Sequence, residues 1–305
     1  MDNTKIENVE SWLSKEQTRF ISEVEGLDNS IVKHDDSWEK GSASFGRTVV
    51  LSDGNIFEKM AVNFSSISGD SLPQAASAKR PELAGSAFRA MGLSIVSHPR
   101  NPFVPTAHQN LRLFSTLDQE KSNWWFGGGY DLTPYFGFVE DSVNWHRSAE
   151  KACAPYGVNI YENFKEQCDV YFNVKHRKEQ RGIGGLFFDD LNYWPFETCF
   201  KFIKDVGKAF SACYFEIVKK RRETDYTKEH RDFQQYRRGR YVEFNLVHDR
   251  GTLFGLQFGG RINSILASLP PTVTWPYDLS ENLKNYESDL LMEFLTPKDW
   301  LSENL

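Results

Sequence analysis

Two stretches that alternate apolar and polar residues, 92–98 and 108–114, flank the run Pro99-Arg100-Asn101-Pro102-Phe103-Val104-Pro105. Three prolines in seven residues exclude both a helix and a central strand there. The segment therefore reads as a loop joining two strands. Alternate side chains of a strand share a face. Ser94, Val96 and His98 thus lie on one face of the first strand, with Leu93 and Ile95 on the other. In the second strand His108, Asn110, Arg112 and Phe114 oppose Leu111 and Leu113. Pairing across the loop would put His98 and His108 at the same end. The apolar faces call for helices above them, while the polar faces collect a hydroxyl, two imidazoles, an amide and a guanidinium. A solvated sheet face ordinarily carries Lys, Glu and Thr rather than this set.

Other segments extend the same pattern. Residues 48–51 and 56–60 flank Ser52-Asp53-Gly54-Asn55, a hairpin turn. Strands are expected at 123–130 and 185–190, and a second hairpin at 241–249 and 252–258 around Asp249-Arg250-Gly251. Helical spacing marks 5–27, where Ile6, Val9, Leu13, Phe20 and Val24 share a face. Further helices are expected at 81–90, 139–153, 159–179, 196–222, 227–238, 278–294 and 297–303. Strands in neighbouring hairpins, rather than in βαβ units, predict an α+β fold: a large, mainly antiparallel sheet flanked by helices on both faces. No repeat or composition break divides the 305 residues, so one domain over 1–305 is expected.

Composition excludes several classes. With 40% hydrophobic and 26% charged residues, the chain is globular, and its length suffices for a large core. No apolar run approaches the roughly 20 residues of a membrane span. The polar start and four cysteines without C-x-x-C spacing (Cys153, Cys168, Cys199, Cys213) point to a reducing cytoplasm. Residues 219–240 carry nine basic and four acidic side chains, so the remainder holds −11 of a total of −6. An acidic protein with one basic stretch argues against non-specific nucleic-acid binding but permits a local anion site. Aromatic content of 14% supplies either an aromatic core or a pocket for a flat ligand.

Several motifs carry chemistry. His98 and His108 invite a metal, to which His146 and His176 could add ligands, although no metal-binding spacing is present. Either imidazole could instead serve as acid or base. Arg112 suits a carboxylate. Gly127-Gly128-Gly129 permits close backbone approach or a turn, and fits neither a P-loop nor a dinucleotide fingerprint. Arg181 to Asp190 looks nucleotide-like, but its glycines precede the strand instead of following it; Asp189 and Asp190 read as a caging pair or a helix cap. Arg250 and Arg261 stand beside flexible glycines, and with Arg112 they suggest a polyanion with a flat body.

Read together, His98 to Pro102, Pro105 to His108, Trp124 to Pro134, Arg181 to Leu191 and Tyr236 to Ile265 resemble the oxygen-dependent coproporphyrinogen III oxidases, over about residues 38–301. The resemblance implies oxidative decarboxylation of two propionates of coproporphyrinogen III to vinyl groups. The products are protoporphyrinogen IX, carbon dioxide and hydrogen peroxide, on the way to haem. Oxygen is the co-substrate and no organic redox cofactor is used. It implies a homodimer with contacts across about Tyr241 to Pro276. It also implies a divalent metal at His98, His108, His146 and His176, with His108 as proton donor. Substrate contacts fall on Ser94, on Asn110-Leu111-Arg112 and on Gly259-Gly260-Arg261. Asp249 and Arg250 match an acid and base pair beside the pyrrole ring. Two other readings compete: a metal-dependent oxygenase or hydrolase built on His98 and His108, and a tetrapyrrole carrier without catalysis.

Overall fold

The computed structural model describes residues 3–41, 43–72, 80–117, 123–257 and 259–303. Helix α1 (Asn3–Leu27) leads into six consecutive strands: β1 (Val32–Lys40), β2 (Ser44–Ser52), β3 (Phe57–Gly69), β4 (Phe88–Pro99), β5 (Thr106–Thr116) and β6 (Trp124–Thr133). Helices α2 (Val139–Cys153) and α3 (Ile160–Tyr171), the small hairpin β7 (Asn173–Val174) and β8 (Glu179–Gln180), and strand β9 (Gly184–Leu191) follow. The chain continues through α4 (Phe196–Arg221), α5 (Lys228–Val247), α6 (Arg250–Gln257), α7 (Ile262–Leu266) and α8 (Glu281–Glu293). Seven strands form one antiparallel sheet in the order β1-β2-β3-β4-β5-β6-β9, so the fold is α+β as expected.

The sheet has two chemically distinct faces. Cross-strand neighbours Val49, Val62 and Ile95, and Leu93 with Leu111, point to the apolar side. They join Val9, Leu13 and Phe20 of α1 and Phe202, Val206 and Phe210 of α4 in one buried core. Burying each such side chain contributes about 1.5–3 kcal/mol. The opposite face carries a polar row that crosses six strands in register: Asp36, Thr48, Asn63, Ser94, Asn110 and Gly129. The chain of α5 to α7 lies against this side: Asn63 Nδ2 donates to the Ser264 carbonyl at 2.9 Å, and the His98 ring stands edge-on to Tyr241.

Several expectations are corrected. Residues 81–90 form only a short 3-10 turn, Pro81–Leu83. Gly85 at φ 82° ends it, and Phe88 already pairs with Gly69 and Thr116. The helix expected over 159–179 stops at Tyr171, because 173–180 turns back as β7 and β8. The second hairpin, at 241–249 and 252–258, is absent over the described residues, and residue 258 lies outside them. There α5 runs to Val247 from a capping box at Thr227 and His230, and α6 starts at Arg250. Every residue from Tyr236 to Val242 is buried, together with Phe244 and Asn245, so the segment is a helix enclosed on nearly all sides, not a strand with one buried face. Residues 297–303 are irregular around a buried Trp300. Strand β1, not anticipated, is a sheet edge rich in charge, which disfavours further pairing.

Candidate active site

The polar face holds two clusters. In the first, His108 on β5 faces Asp131 directly across the ladder on β6. Its Nδ1 donates to Asp131 Oδ1 at 2.9 Å, which leaves Nε2 as the nitrogen able to take or give a proton. Asp131 is also clamped by Arg181, whose Nη2 donates to both carboxylate oxygens at 2.6 and 2.8 Å and whose Nε donates at 3.1 Å. Both side chains are almost completely buried. Burial alone would raise the Asp131 pKa, but the Arg181 charge and the His108 hydrogen bond hold it below its ordinary value. Phe172, Tyr241 and Phe244 enclose the guanidinium, and its Nη1 donates to Asn245 Oδ1 at 3.2 Å. The imidazole is thus fixed in one orientation by a buried anion that is itself fixed.

In the second cluster, Arg112 and Arg250 converge on Asp189 at the end of β9. Arg112 also donates to Asn110 Oδ1 at 3.2 Å. Arg112 lies across Gly127, where a Cβ would come within 2.7 Å of the guanidinium. Asp249 caps α6 by accepting from the Thr252 amide at 2.7 Å, and it accepts from the Tyr171 hydroxyl at 2.9 Å. Burial and the Asp249 charge push the Tyr171 hydroxyl up to about 12, so it stays a donor near neutral pH. Tyr171 stacks on Phe187 at 4.2 Å, and Arg250 sits over both rings. A groove of about 570 Å³ opens along Tyr171, Phe187, Asp189, His248 and Arg250, within the size range of ligand pockets.

Arg261 stands at the far end of the polar row, donating to Asp36 of β1 at 2.6 Å. The Gly259 carbonyl accepts from Lys40. From β1 to β5 the strand spacing places these groups about 19 Å from Asn110. Ser94 lies between, opposite both Asn63 and Asn110. The Leu111 side chain is wholly buried in the apolar core, on the side opposite Asn110 and Arg112.

The four histidines expected around a metal go to separate places. His98 is fully buried, donating from Nε2 to the Ser268 carbonyl at 2.8 Å and accepting at Nδ1 from Thr106. Burial pushes its pKa well down. His146 on α2 bonds the Ile183 carbonyl and the Tyr161 hydroxyl, and burial lowers it to about 3. His176 bonds Glu243 and His248. Among the described residues no three His, Cys, Asp or Glu side chains come together as a metal-ligand group. Because both nitrogens of His98 and of His146 are committed, the donor set does not fit one shared cation.

Sequence reasoning singled out His108, Arg112, Asp249 and Arg250 but missed Asp131, Arg181 and Tyr171 as site residues. One signal for Asp131 was present: it is the one charged residue on a strand of aromatics and glycines, and strand alternation gives it a definite sheet face. Arg181 and Tyr171 carry no local signal, since their partners lie 50 and 78 residues away.

These features define a class: an α+β protein whose sheet presents an oriented acid–base histidine beside paired arginines suited to a carboxylate-rich ligand. Residues 8–300 match the family model of coproporphyrinogen III oxidase, and the chain belongs to that family. Its members are oxidoreductases of porphyrin and haem biosynthesis.

Proposed function

We propose that the protein acts with molecular oxygen, converting two propionates of coproporphyrinogen III to vinyl groups and releasing protoporphyrinogen IX. Each propionate takes one oxygen molecule and one proton, and gives one vinyl group, one carbon dioxide and one hydrogen peroxide. The observation that carries this reading is the pairing of Arg112 and Arg250 around one carboxylate on the face that holds the His108–Asp131 pair.

The four carboxylates of the substrate call for several spaced cations. Arg112 and Arg250, with the Asn110-Leu111 segment, serve one end and Arg261, with Gly259 and Gly260, the other, with Ser94 between them. Asp249 takes the pyrrole N–H proton, and the electron-rich ring reacts with oxygen. The peroxide so formed takes a proton from the propionate carbon attached to the ring, and the electrons of that C–H bond expel it from the ring. Carbon dioxide is then lost, the electron pair of the broken C–C bond becoming the vinyl π bond while Asp249 returns its proton to the pyrrole nitrogen. His108, held by Asp131, supplies a proton to the departing peroxide. No organic redox cofactor is needed, because the ring itself carries the electrons, and no step is assigned to a metal.

The remaining parts of the proposal concern the chain as a whole. It works as a single domain over 1–305 in the cytoplasm, as a homodimer. Exposed Val247, Ile262 and Trp275, all within Tyr241 to Pro276, support that region as the contact between copies. No described helix is long and apolar enough to cross a membrane.

The test is oxygen uptake by the purified protein given coproporphyrinogen III in the dark, with product read as porphyrin fluorescence after oxidation. Uptake with a protoporphyrin signal is expected. Binding without uptake would replace the oxidase by a carrier.

A further inference from the structure

Asp189 occupies an unusual place for a protein carboxylate. Its two oxygens are divided between guanidiniums from different parts of the fold. Oδ1 accepts from Arg112 Nη2 of β5 at 2.8 Å, and Oδ2 accepts from Arg250 Nη2, at the start of α6, at 3.1 Å. Oδ1 also accepts from the Asp190 amide at 3.2 Å. The carboxylate itself is 19% exposed, whereas Arg112 is 37% and Arg250 53% exposed. The two cations thus reach toward the open side while the anion between them belongs to the wall.

One carboxylate between two guanidiniums is the arrangement that a substrate propionate would adopt. Arg112, Arg250 and Asp189 together carry +1, so a second carboxylate finds a spare cation, but it must compete with Asp189 for the same N–H groups. Arg250 directly follows Asp249, and the Arg250 backbone N–H donates to the Tyr171 hydroxyl at 3.2 Å. Whatever draws Arg250 away from Asp189 therefore acts on the first turn of α6, where Asp249 is the cap.

We propose that Asp189 is an internal stand-in for a substrate carboxylate: it holds Arg112 and Arg250 together in the empty site and yields them to a propionate. It thereby lowers the affinity for carboxylates and keeps the start of α6 docked until one arrives. The inference rests on the reading of Arg112 and Arg250 as propionate ligands, and it adds a competing group that is part of the protein.

Asp189→Asn keeps the shape and one acceptor oxygen but removes the charge, and Asp189→Ala removes both. The probe is coproporphyrin III, the oxidised tetracarboxylate, titrated by fluorescence quenching into the full-length wild-type and variant proteins, each shown to be folded by its urea transition. Both variants are expected to bind roughly fivefold more tightly than wild type. The gain should disappear in an Arg112→Ala background, where one of the contested guanidiniums is gone. Equal or weaker binding by both folded variants would overturn the proposal and make Asp189 a support for Arg112. Failure of the wild-type protein to bind the porphyrin at all would instead overturn the reading on which the proposal rests.

Discussion

The imidazole of His108 and the carboxylate of Asp131 meet at 2.9 Å across two paired strands, and the same carboxylate is gripped on its other side by a buried arginine. His108 owes its tautomer to Asp131, and Asp131 owes its charge to Arg181. The His108 imidazole at the surface of the site is therefore anchored in the interior by a chain of charge-assisted bonds.

Removing the middle link has a calculable consequence. Asp131→Asn leaves the Arg181 guanidinium buried without its counter-ion, and breaking such a pair costs about 3–5 kcal/mol. The urea midpoint should fall accordingly. The double replacement Asp131→Leu with Arg181→Met removes both charges and should recover most of that stability. Turnover should stay low in the double variant, because His108 has still lost the acceptor for its Nδ1 proton.

Acid sensitivity follows from the histidines that the site does not use. His146 and His98 are buried and neutral, His146 with a pKa lowered to about 3 and His98 shifted in the same direction. In the unfolded chain both titrate near 6.5. Below that value the unfolded state binds more protons than the folded state, so stability falls as pH drops. The loss is about 1.4 kcal/mol per pH unit for each histidine that is protonated only when unfolded. Urea midpoints measured from pH 7.5 to 5 should decline, and His146→Gln should make that decline shallower by close to one proton. Asp131, whose folded pKa is depressed, adds its own loss only at lower pH, as the solution falls through the carboxylate range.

Asp249 and Tyr171 can be separated by kinetics. If Asp249 takes the pyrrole proton, Asp249→Ala should reduce kcat on the order of a hundredfold or more, while porphyrin binding survives. Tyr171→Phe leaves the carboxylate present and still capping Thr252, but removes the hydroxyl that orients it. A drop of about tenfold in kcat with KM nearly unchanged is expected, the effect of one lost hydrogen bond in the transition state. Steady-state oxygen uptake distinguishes the two outcomes, and an unaltered rate for Asp249→Ala would remove that residue from the chemistry.

What could be read in the sequence was what depends on short-range periodicity. Alternation across 92–98 and 108–114 set out the polar and apolar faces of β4 and β5 correctly, down to which side His108, Asn110 and Arg112 occupy. The same rule misled at 241–249. Tyr241-Val242-Glu243-Phe244-Asn245 alternates over a few residues, yet the segment is part of a helix in which Tyr236 to Val242 are buried without a break. Buried arginines are what hid this face, since Arg237 is paired with Glu179 and Glu287, and Arg238 with Glu58, from distant segments. The histidines show the same limit. Sequence resemblance grouped His98, His108, His146 and His176 around one ion, but each is held by a carbonyl, hydroxyl or carboxylate that only the folded chain brings near.

The glycine run on β6 offers the sharpest test of how the sheet shapes the site. At Gly129, φ is 140° and a Cβ would lie 1.9 Å from the Leu186 carbonyl oxygen of the neighbouring strand. That contact is with backbone and cannot be relieved by a rotamer change, so Gly129→Ala should destabilise the protein severely or prevent its folding. At Gly127 the three atoms nearest an added Cβ all belong to the Arg112 guanidinium, at 2.7–2.8 Å, the end of a side chain that can shift. Gly127→Ala should therefore fold with nearly unchanged urea stability while pushing the guanidinium off its track beside Asp189. Its KM for coproporphyrinogen III should rise about tenfold, as for one misplaced charge-assisted hydrogen bond. A Gly127→Ala protein with wild-type KM would mean that Arg112 binds substrate from another conformation.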